Sequence, residues 1–166
     1  MQGKLLLRFF LLLSLIALFT ATGCALYPSS TAPVQSGGKA TGQGISNTAR
    51  ANIGVKYKSG GIKPSTGFDC SGLVCWTYAQ HGISVPRTSK EQVKMGSAVS
   101  RDRLKPGDVV VFRISSRSGL HTGIYSGNGK FIHSPSSGKT VREDSMNSEY
   151  WKPRYLTGRR LPQVIH

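Results

Sequence analysis

The sequence predicts an α+β domain in which N-terminal helices pack on an antiparallel sheet. Apolar residues at helical spacing precede Arg103, and short β-branched and aromatic segments follow it. Gly127-Asn128-Gly129 lies between two of these segments and is typical of a tight hairpin, which joins antiparallel neighbours. Because the helices come first and the strands are consecutive, we expect one antiparallel sheet rather than parallel strands alternating with helices.

The predicted helices cover residues 45–53, 70–81 and a short segment from Thr88 towards Met95. In the second helix, Leu73, Val74 and Thr77 share a face with Cys70, and Gly82 follows as a stop signal. In the third, residues 88–91 have the spacing of a capping box.

The predicted strands cover residues 108–114, 121–125 and 130–134, with two further candidates at 140–142 and 155–161. Pro106-Gly107 indicates a type II turn before the first of them. These segments are short and rich in β-branched and aromatic residues, as strands of a half-buried sheet are.

The N-terminus has the order of a bacterial export signal. Lys4 and Arg8 precede an apolar run at 9–19, which is shorter than the roughly 20 residues that span a bilayer. Ala21-Thr22-Gly23-Cys24 then resembles a lipobox, so residues 1–23 are predicted to be a lipoprotein signal peptide and Cys24 to carry the lipid. Ala25 follows, which by analogy with Gram-negative lipoproteins indicates the outer membrane. An ordinary secretory signal with a chance cysteine is the alternative.

Residues 24–44 are rich in Ser, Thr, Pro and Gly and predict a flexible tether, so the folded domain is expected at 45–166. The formal net charge of +15 favours anionic partners such as lipid headgroups and wall polymers. No run of basic residues exceeds two, which argues against a nucleic-acid-binding arm. The alternative is that the charge is scattered and serves solubility.

Two cysteines remain for the domain. Cys70 and Cys75 are five positions apart on one predicted helix, so their Cα atoms would be about 8 Å apart. A disulfide needs less than about 7 Å, and none is expected. Cys70 opens its helix, where the N–H groups and the helix dipole are expected to lower the pKa of a thiol and make it a nucleophile. Cys75, in mid-helix, fits a structural cysteine.

A cysteine nucleophile needs a base, and the register of the predicted hairpin decides whether two histidines can serve. A three-residue loop with Tyr125 opposite Gly129 would bring His121 directly opposite His133, with Cβ atoms about 5 Å apart. His121 could then accept the thiol proton while His133 orients its ring. An even loop would send the two rings to opposite faces, leaving two unrelated histidines.

Several motifs occur in a fixed order along the chain: FDCSGLV at 68–74, PRTS at 86–89, LKPGD at 104–108, HTGIY at 121–125, KFIHSP at 130–135, YW at 150–151 and RR at 159–160. Together they resemble the NlpC/p-sixty family of bacterial cell-wall cysteine peptidases. The resemblance implies a papain-like fold with a five- or six-stranded antiparallel sheet. It also implies Cys70 as nucleophile, His121 as base and His133 as the residue that orients it.

The same resemblance assigns three supporting residues. Tyr57 matches a family tyrosine near the oxyanion site. Asp69 and Ser71 match positions that, in some members, hold the free amine of the bound wall peptide. The alternative for Asp69 is an N-cap of the helix that begins at Cys70, and both roles can coexist. Thr122 departs from the usual valine after the catalytic histidine, and Val55-Lys56 replaces the usual Thr-Pro.

The expected function is therefore a peptidoglycan endopeptidase that hydrolyses amide bonds in stem peptides or their cross-links. We expect a monomer on the periplasmic face of the envelope, anchored by lipid at Cys24, with no cofactor, no metal and no nucleic-acid partner. The alternatives are an amidase or acyltransferase with the same residues, or an inactive wall-binding lipoprotein.

Overall fold

Three α-helices and eight strands form the described part of the chain. The computed structural model describes residues 40–115, 119–136 and 139–166. The helices are α1 (Gly42–Arg50), α2 (Cys70–Ala79) and α3 (Ser89–Gln92). The strands are β1 (Ile62–Lys63), β2 (Gly67–Phe68), β3 (Ser97–Val99), β4 (Val109–Arg113), β5 (Leu120–Gly127), β6 (Lys130–His133), β7 (Arg142–Ser145) and β8 (Tyr155–Arg160).

Six of these strands form one sheet in the order β3-β8-β4-β5-β6-β7, and every neighbouring pair is antiparallel. The predicted α+β class and antiparallel sheet are confirmed. β1 and β2 form a separate two-stranded hairpin. The sequence did not predict β1, β2 or β3, since segments of two or three residues carry no period-2 pattern.

The folded unit begins earlier than residue 45. Thr41 caps α1 by accepting a hydrogen bond from the Gly44 N–H, and Gly42 N–H donates to the carbonyl of Ile165 at 2.8 Å. Residues 40–44 therefore belong to the domain and not to the tether. The predicted signal peptide, Cys24 and the rest of the tether lie outside the described residues. Among the described residues, no helix is long and apolar enough to cross a membrane.

Helix α2 begins at the predicted residue and ends at Ala79, two residues before the predicted end. The Asp69 side chain accepts from the Gly72 N–H at 2.7 Å, which caps the first turn. Gly82 follows the helix with a φ of +70°, a conformation that favours glycine. Leu73, Val74 and Tyr78 are fully buried against the sheet. Cys70 is therefore held on a rigid, well-packed element.

Apolar residues cover the sheet on both faces. One face joins the helices in a core that includes Val109, Ile124 and Ile132. The other face carries a second, more aromatic core around Phe112 and Trp151. Because side chains alternate along a strand, odd positions of β5 belong to the second face, and the two candidate histidines lie there.

Candidate active site

The two candidate histidines lie on one face of the sheet, but the strand register that places them there differs from the predicted one. Tyr125 pairs with Phe131, and Gly127 pairs with Lys130, so Ser126 is an extra residue in β5. The hairpin loop itself has two residues, Asn128 and Gly129, both with positive φ. The predicted pairing of Tyr125 with Gly129 is wrong, since the bulge supplies the odd residue.

This register makes His121 and His133 diagonal rather than directly opposite neighbours. Their rings are nearly perpendicular, with centroids 5.0 Å apart. His121 Nε2 lies 2.8 Å from His133 Nδ1, so the rings share one hydrogen bond. His133 faces Gly123, where an added Cβ would come within 3.0 Å of the His133 Cβ and 2.8 Å of Phe131. Glycine at 123 thus leaves room for the histidine pair.

Aromatic rings enclose the pair. Trp151 stacks on His121 with a centroid distance of 5.2 Å, and Phe131 stacks on His133 at 4.6 Å. Both histidines are almost fully buried. Burial, with a smaller contribution from His133, lowers the pKa of His121 to about 3. His121 is therefore a neutral imidazole at pH 7, which is the form that can accept a proton.

Asp144 extends the chain of hydrogen bonds beyond His133. Its Oδ2 lies 3.0 Å from His133 Nε2 and also accepts from Trp151 Nε1 at 3.0 Å and from Arg142 at 2.9 Å. The hydrogen bond with His133 holds the pKa of Asp144 well below its usual range. The sequence did not identify this residue, because an acidic pair in a strand of four residues has no recognisable pattern.

Cys70 lies on the helix that packs against β5, the strand of His121. It is the first residue of α2, and its thiol approaches the N–H and hydroxyl of Thr122, the neighbour of His121. Burial raises the pKa of the Cys70 thiol, although hydrogen bonds from Thr122 and Ser71 oppose the shift. The expected lowering by the helix start is outweighed, so the resting thiol is neutral. Cys70 and Cys75 are both free thiols.

Gln92 connects the Cys70 helix to the histidine strand, and no sequence pattern pointed to this role. Its side chain is fully buried and donates to the carbonyls of Ser71 and Pro86 at 3.1 and 2.8 Å. Its Oε1 accepts from the Thr122 hydroxyl at 3.0 Å. Threonine in place of the usual valine at 122 therefore has a partner for its buried hydroxyl.

Asp69 and Ser71 flank Cys70 and are bound by an arginine that the sequence analysis did not single out. Arg87 donates to both Asp69 oxygens, at 3.0 and 2.6 Å, and to Ser71 Oγ at 2.9 Å. Burial opposes ionisation of Asp69, but the hydrogen bonds from Arg87 and Gly72 outweigh it, so its pKa lies below the usual value. The N-cap role of Asp69 is confirmed, and amine binding by Asp69 and Ser71 stays a prediction.

Tyr57 lies between the start of the Cys70 helix and the segment after β6. It forms a parallel bridge with Phe68, and its N–H donates to the carbonyl of Lys139 at 2.8 Å. Ser134 Oγ donates to the Phe68 carbonyl at 2.7 Å, which ties the same segment to the end of β6. A role for the Tyr57 hydroxyl at an oxyanion site stays a prediction.

A cavity of about 490 Å³ opens beside the histidine pair. Its lining includes His121, Lys139, Arg142, Asp144, Tyr150 and Trp151. The cavity can admit a peptide-sized group next to the imidazole. Lys139 and Arg142 contribute positive charge to its lining. Among the described residues, no group of three or more His, Cys, Asp or Glu side chains is arranged to hold a metal ion.

Residues 54–160 match the NlpC/P60 family, which is more than half of the chain. The chain belongs to the NlpC/P60 family. The match includes all the residues of the site described above, from Tyr57 to Trp151.

Two NlpC/P60 relatives from Escherichia coli K12 are similar in sequence. Murein DD-endopeptidase MepH is 42% identical over 119 residues, which are 69% of this chain and 44% of that protein. Murein DD-endopeptidase MepS/Murein LD-carboxypeptidase is 48% identical over 110 residues, or 65% of this chain and 56% of that protein. The chain thus spans about half the length of the curated relatives it matches.

Solved NlpC/P60 structures share the fold. A family member from Bacillus cereus superposes with a TM-score of 0.69 at 32% identity, covering 74% of this chain and 41% of that one. The NlpC/p60 domain of the peptidoglycan hydrolase SagA gives a TM-score of 0.63 at 30% identity, covering 73% of this chain and 99% of that one. The predicted family and its fold, with helices on a six-stranded antiparallel sheet, are confirmed.

Replacing Gln92 by Leu should destabilise the domain. The change removes four hydrogen bonds, to the Ser71 and Pro86 carbonyls, the Cys75 sulfur and the Thr122 hydroxyl, at a cost of about 2–4 kcal/mol. Chemical denaturation would measure the loss. Gln80→Leu, on an exposed side chain at the end of α2, is the matched control and should change stability by less than about 0.5 kcal/mol. Equal effects of the two changes would contradict this account of Gln92.

Stability should fall as the pH decreases from about 6.5 towards 4. The folded state keeps His121 neutral because its pKa is about 3, whereas the unfolded chain binds a proton near pH 6.5. The unfolded state therefore gains protons first, which lowers the free energy of unfolding by up to about 1.4 kcal/mol per pH unit for His121 alone. Denaturation curves at several pH values give the free energy of unfolding as a function of pH. Its decrease with falling pH should be less steep for His121→Gln than for the unaltered protein. An unchanged slope would mean that His121 does not titrate on unfolding.

Proposed function

We propose that the chain is a peptidoglycan endopeptidase that hydrolyses amide bonds in cell-wall stem peptides or their cross-links, with Cys70 as nucleophile. The observation that carries the proposal is a partly buried thiol that contacts Thr122, the residue that follows the buried, neutral His121 in β5. Membership of the NlpC/P60 family and similarity to murein endopeptidases support the substrate class.

The mechanism starts from a neutral thiol and a neutral imidazole. His121 Nε2 is engaged by His133, which leaves Nδ1 to accept the thiol proton. As the Cys70 sulfur attacks the amide carbonyl, the proton moves to His121 and a tetrahedral intermediate forms. The backbone N–H of Cys70 and the hydroxyl of Tyr57 are the proposed donors to its oxyanion. His121 then protonates the leaving amine, and water hydrolyses the thioester.

The cavity beside His121 is the proposed binding site for part of the stem peptide. Lys139 and Arg142 form its basic side, and stem peptides carry carboxylates. Arg142 already donates to Asp144, whereas the exposed Lys139 side chain can turn towards a substrate carboxylate. The domain would act as a monomer on the periplasmic face of the envelope, anchored through lipid at Cys24.

Replacing Cys70 by Ala should abolish hydrolysis while the protein still folds. We expect kcat/KM on purified muropeptides to fall by at least about a thousandfold, since no other group can form the acyl intermediate. Cys75→Ala is the matched control: among the described residues its thiol donates to the carbonyls of Val85 and Pro86 and accepts from Gln92 Nε2, and it has no hydrogen bond to a proposed reacting group. It should retain activity within about threefold.

Product masses complete this test. Cleavage within or between stem peptides supports the endopeptidase, whereas release of the whole stem peptide from the sugar would indicate an amidase. Products joined to a new acyl acceptor would indicate a transferase. Activity that survives Cys70→Ala would contradict the proposed nucleophile.

Replacing Lys139 by Gln should weaken substrate binding with little effect on the chemical step. Loss of one exposed charge pair predicts a rise in KM of about two- to fivefold at unchanged kcat. Lys90→Gln is the control, since Lys90 is exposed but does not line the cavity. The difference between the variants should disappear with a muropeptide whose carboxylates are amidated. A persistent difference would argue against a carboxylate as the partner of Lys139.

A further inference from the structure

Asp144 is the partly exposed end of a hydrogen-bonded row that continues through His133 to His121. In the pairing of β6 with β7, Asp144 lies opposite Phe131 and Arg142 lies opposite His133. All four side chains therefore share the face that carries the histidine pair. Asp144 makes no hydrogen bond to His121 itself, because His133 lies between its carboxylate and the His121 ring.

We propose that Asp144 is a positioning residue that fixes the tautomers of both histidines, so that the unprotonated nitrogen of His121 is Nδ1. This inference rests on the proposed function, since it concerns the base of the same reaction. It assigns Asp144 a part that neither the family match nor the names of the relatives assign.

The tautomers follow from hydrogen-bond chemistry alone. An ionised carboxylate only accepts, so His133 Nε2 must carry the hydrogen in its 3.0 Å contact with Asp144. A neutral imidazole has a single N–H, so His133 Nδ1 is an acceptor. The 2.8 Å contact then requires that His121 Nε2 carry the hydrogen. The lone pair of His121 is left on Nδ1, the nitrogen available to the thiol.

The surroundings keep Asp144 ionised and in place. Trp151 Nε1 and Arg142 both donate to the oxygen that faces His133, so the carboxylate remains charged and oriented. Trp151 also stacks on His121, and a shift of Asp144 would therefore disturb both ends of the histidine pair. When His121 takes the thiol proton, the carboxylate two rings away lowers the cost of the new positive charge.

The first test reads the tautomers directly in the unaltered protein. ¹⁵N chemical shifts of the histidine rings, measured on the full chain near pH 7, should identify His121 and His133 as neutral Nε2–H tautomers. An Nδ1–H tautomer on either ring would overturn the proposal. This measurement needs no substrate, so it can fail or succeed independently of the proposed peptidase activity.

The second test removes the carboxylate. Asp144→Leu should lower kcat by about ten- to a hundredfold with KM within about twofold, and should slow alkylation of Cys70 by iodoacetamide. In the same variant, the ¹⁵N shifts should show mixed tautomers at His133. Glu143→Gln is the matched control: it alters the neighbouring carboxylate, which pairs with Arg50 and Ser126 and not with the histidines.

The outcomes separate the two proposals. Wild-type kcat and a single His133 tautomer in Asp144→Leu would overturn the positioning role and leave the peptidase proposal standing. Wild-type protein that cleaves no muropeptide would contradict the proposed function, while the tautomers and the Cys70 alkylation rate still decide the role of Asp144. If Asp144→Leu does not fold, the tautomers of the unaltered protein remain decisive.

Discussion

The hydrogen bond between His121 and His133 is the constraint on which the site depends. It requires both rings on one face of the sheet, and side chains on a strand alternate between faces. A two-residue hairpin loop without a bulge would send one ring towards Ile124 and Ile132 in the core beneath the helices. The extra residue Ser126 prevents this, so a local irregularity of β5 decides the geometry of a site several residues away.

The second core gives the histidine pair its chemical character. Burial against Trp151 and Phe131 removes water from both rings and favours their neutral forms. A buried polar group is costly unless it is hydrogen-bonded, and here His121, His133 and Asp144 satisfy one another in sequence. The aromatic packing and the hydrogen bonds thus depend on each other, because the packing buries polar rings that only the hydrogen bonds make tolerable to bury.

Local sequence patterns predicted the elements that carry the site, and long-range contacts decided its details. Asp69 and Gly82 marked the ends of α2 because capping and left-handed residues act within a few positions. The motif resemblance indicated Cys70 and both histidines as candidate site residues. Gln92 and Asp144 could not be found in this way, because they act through partners 11 to 30 positions distant, and only the folded chain brings these together.

The protonation state of Cys70 shows how burial and helix position compete. The start of α2 supplies N–H groups that favour a thiolate, yet burial of the thiol outweighs them and raises its pKa. In the proposed reaction, the neutral thiol and the neutral imidazole become an ion pair only when substrate is attacked, so the reaction relies on a correctly oriented base. Because oxidation of cysteine follows its thiolate character, the same neutrality protects Cys70 in the oxidising compartment proposed for this protein.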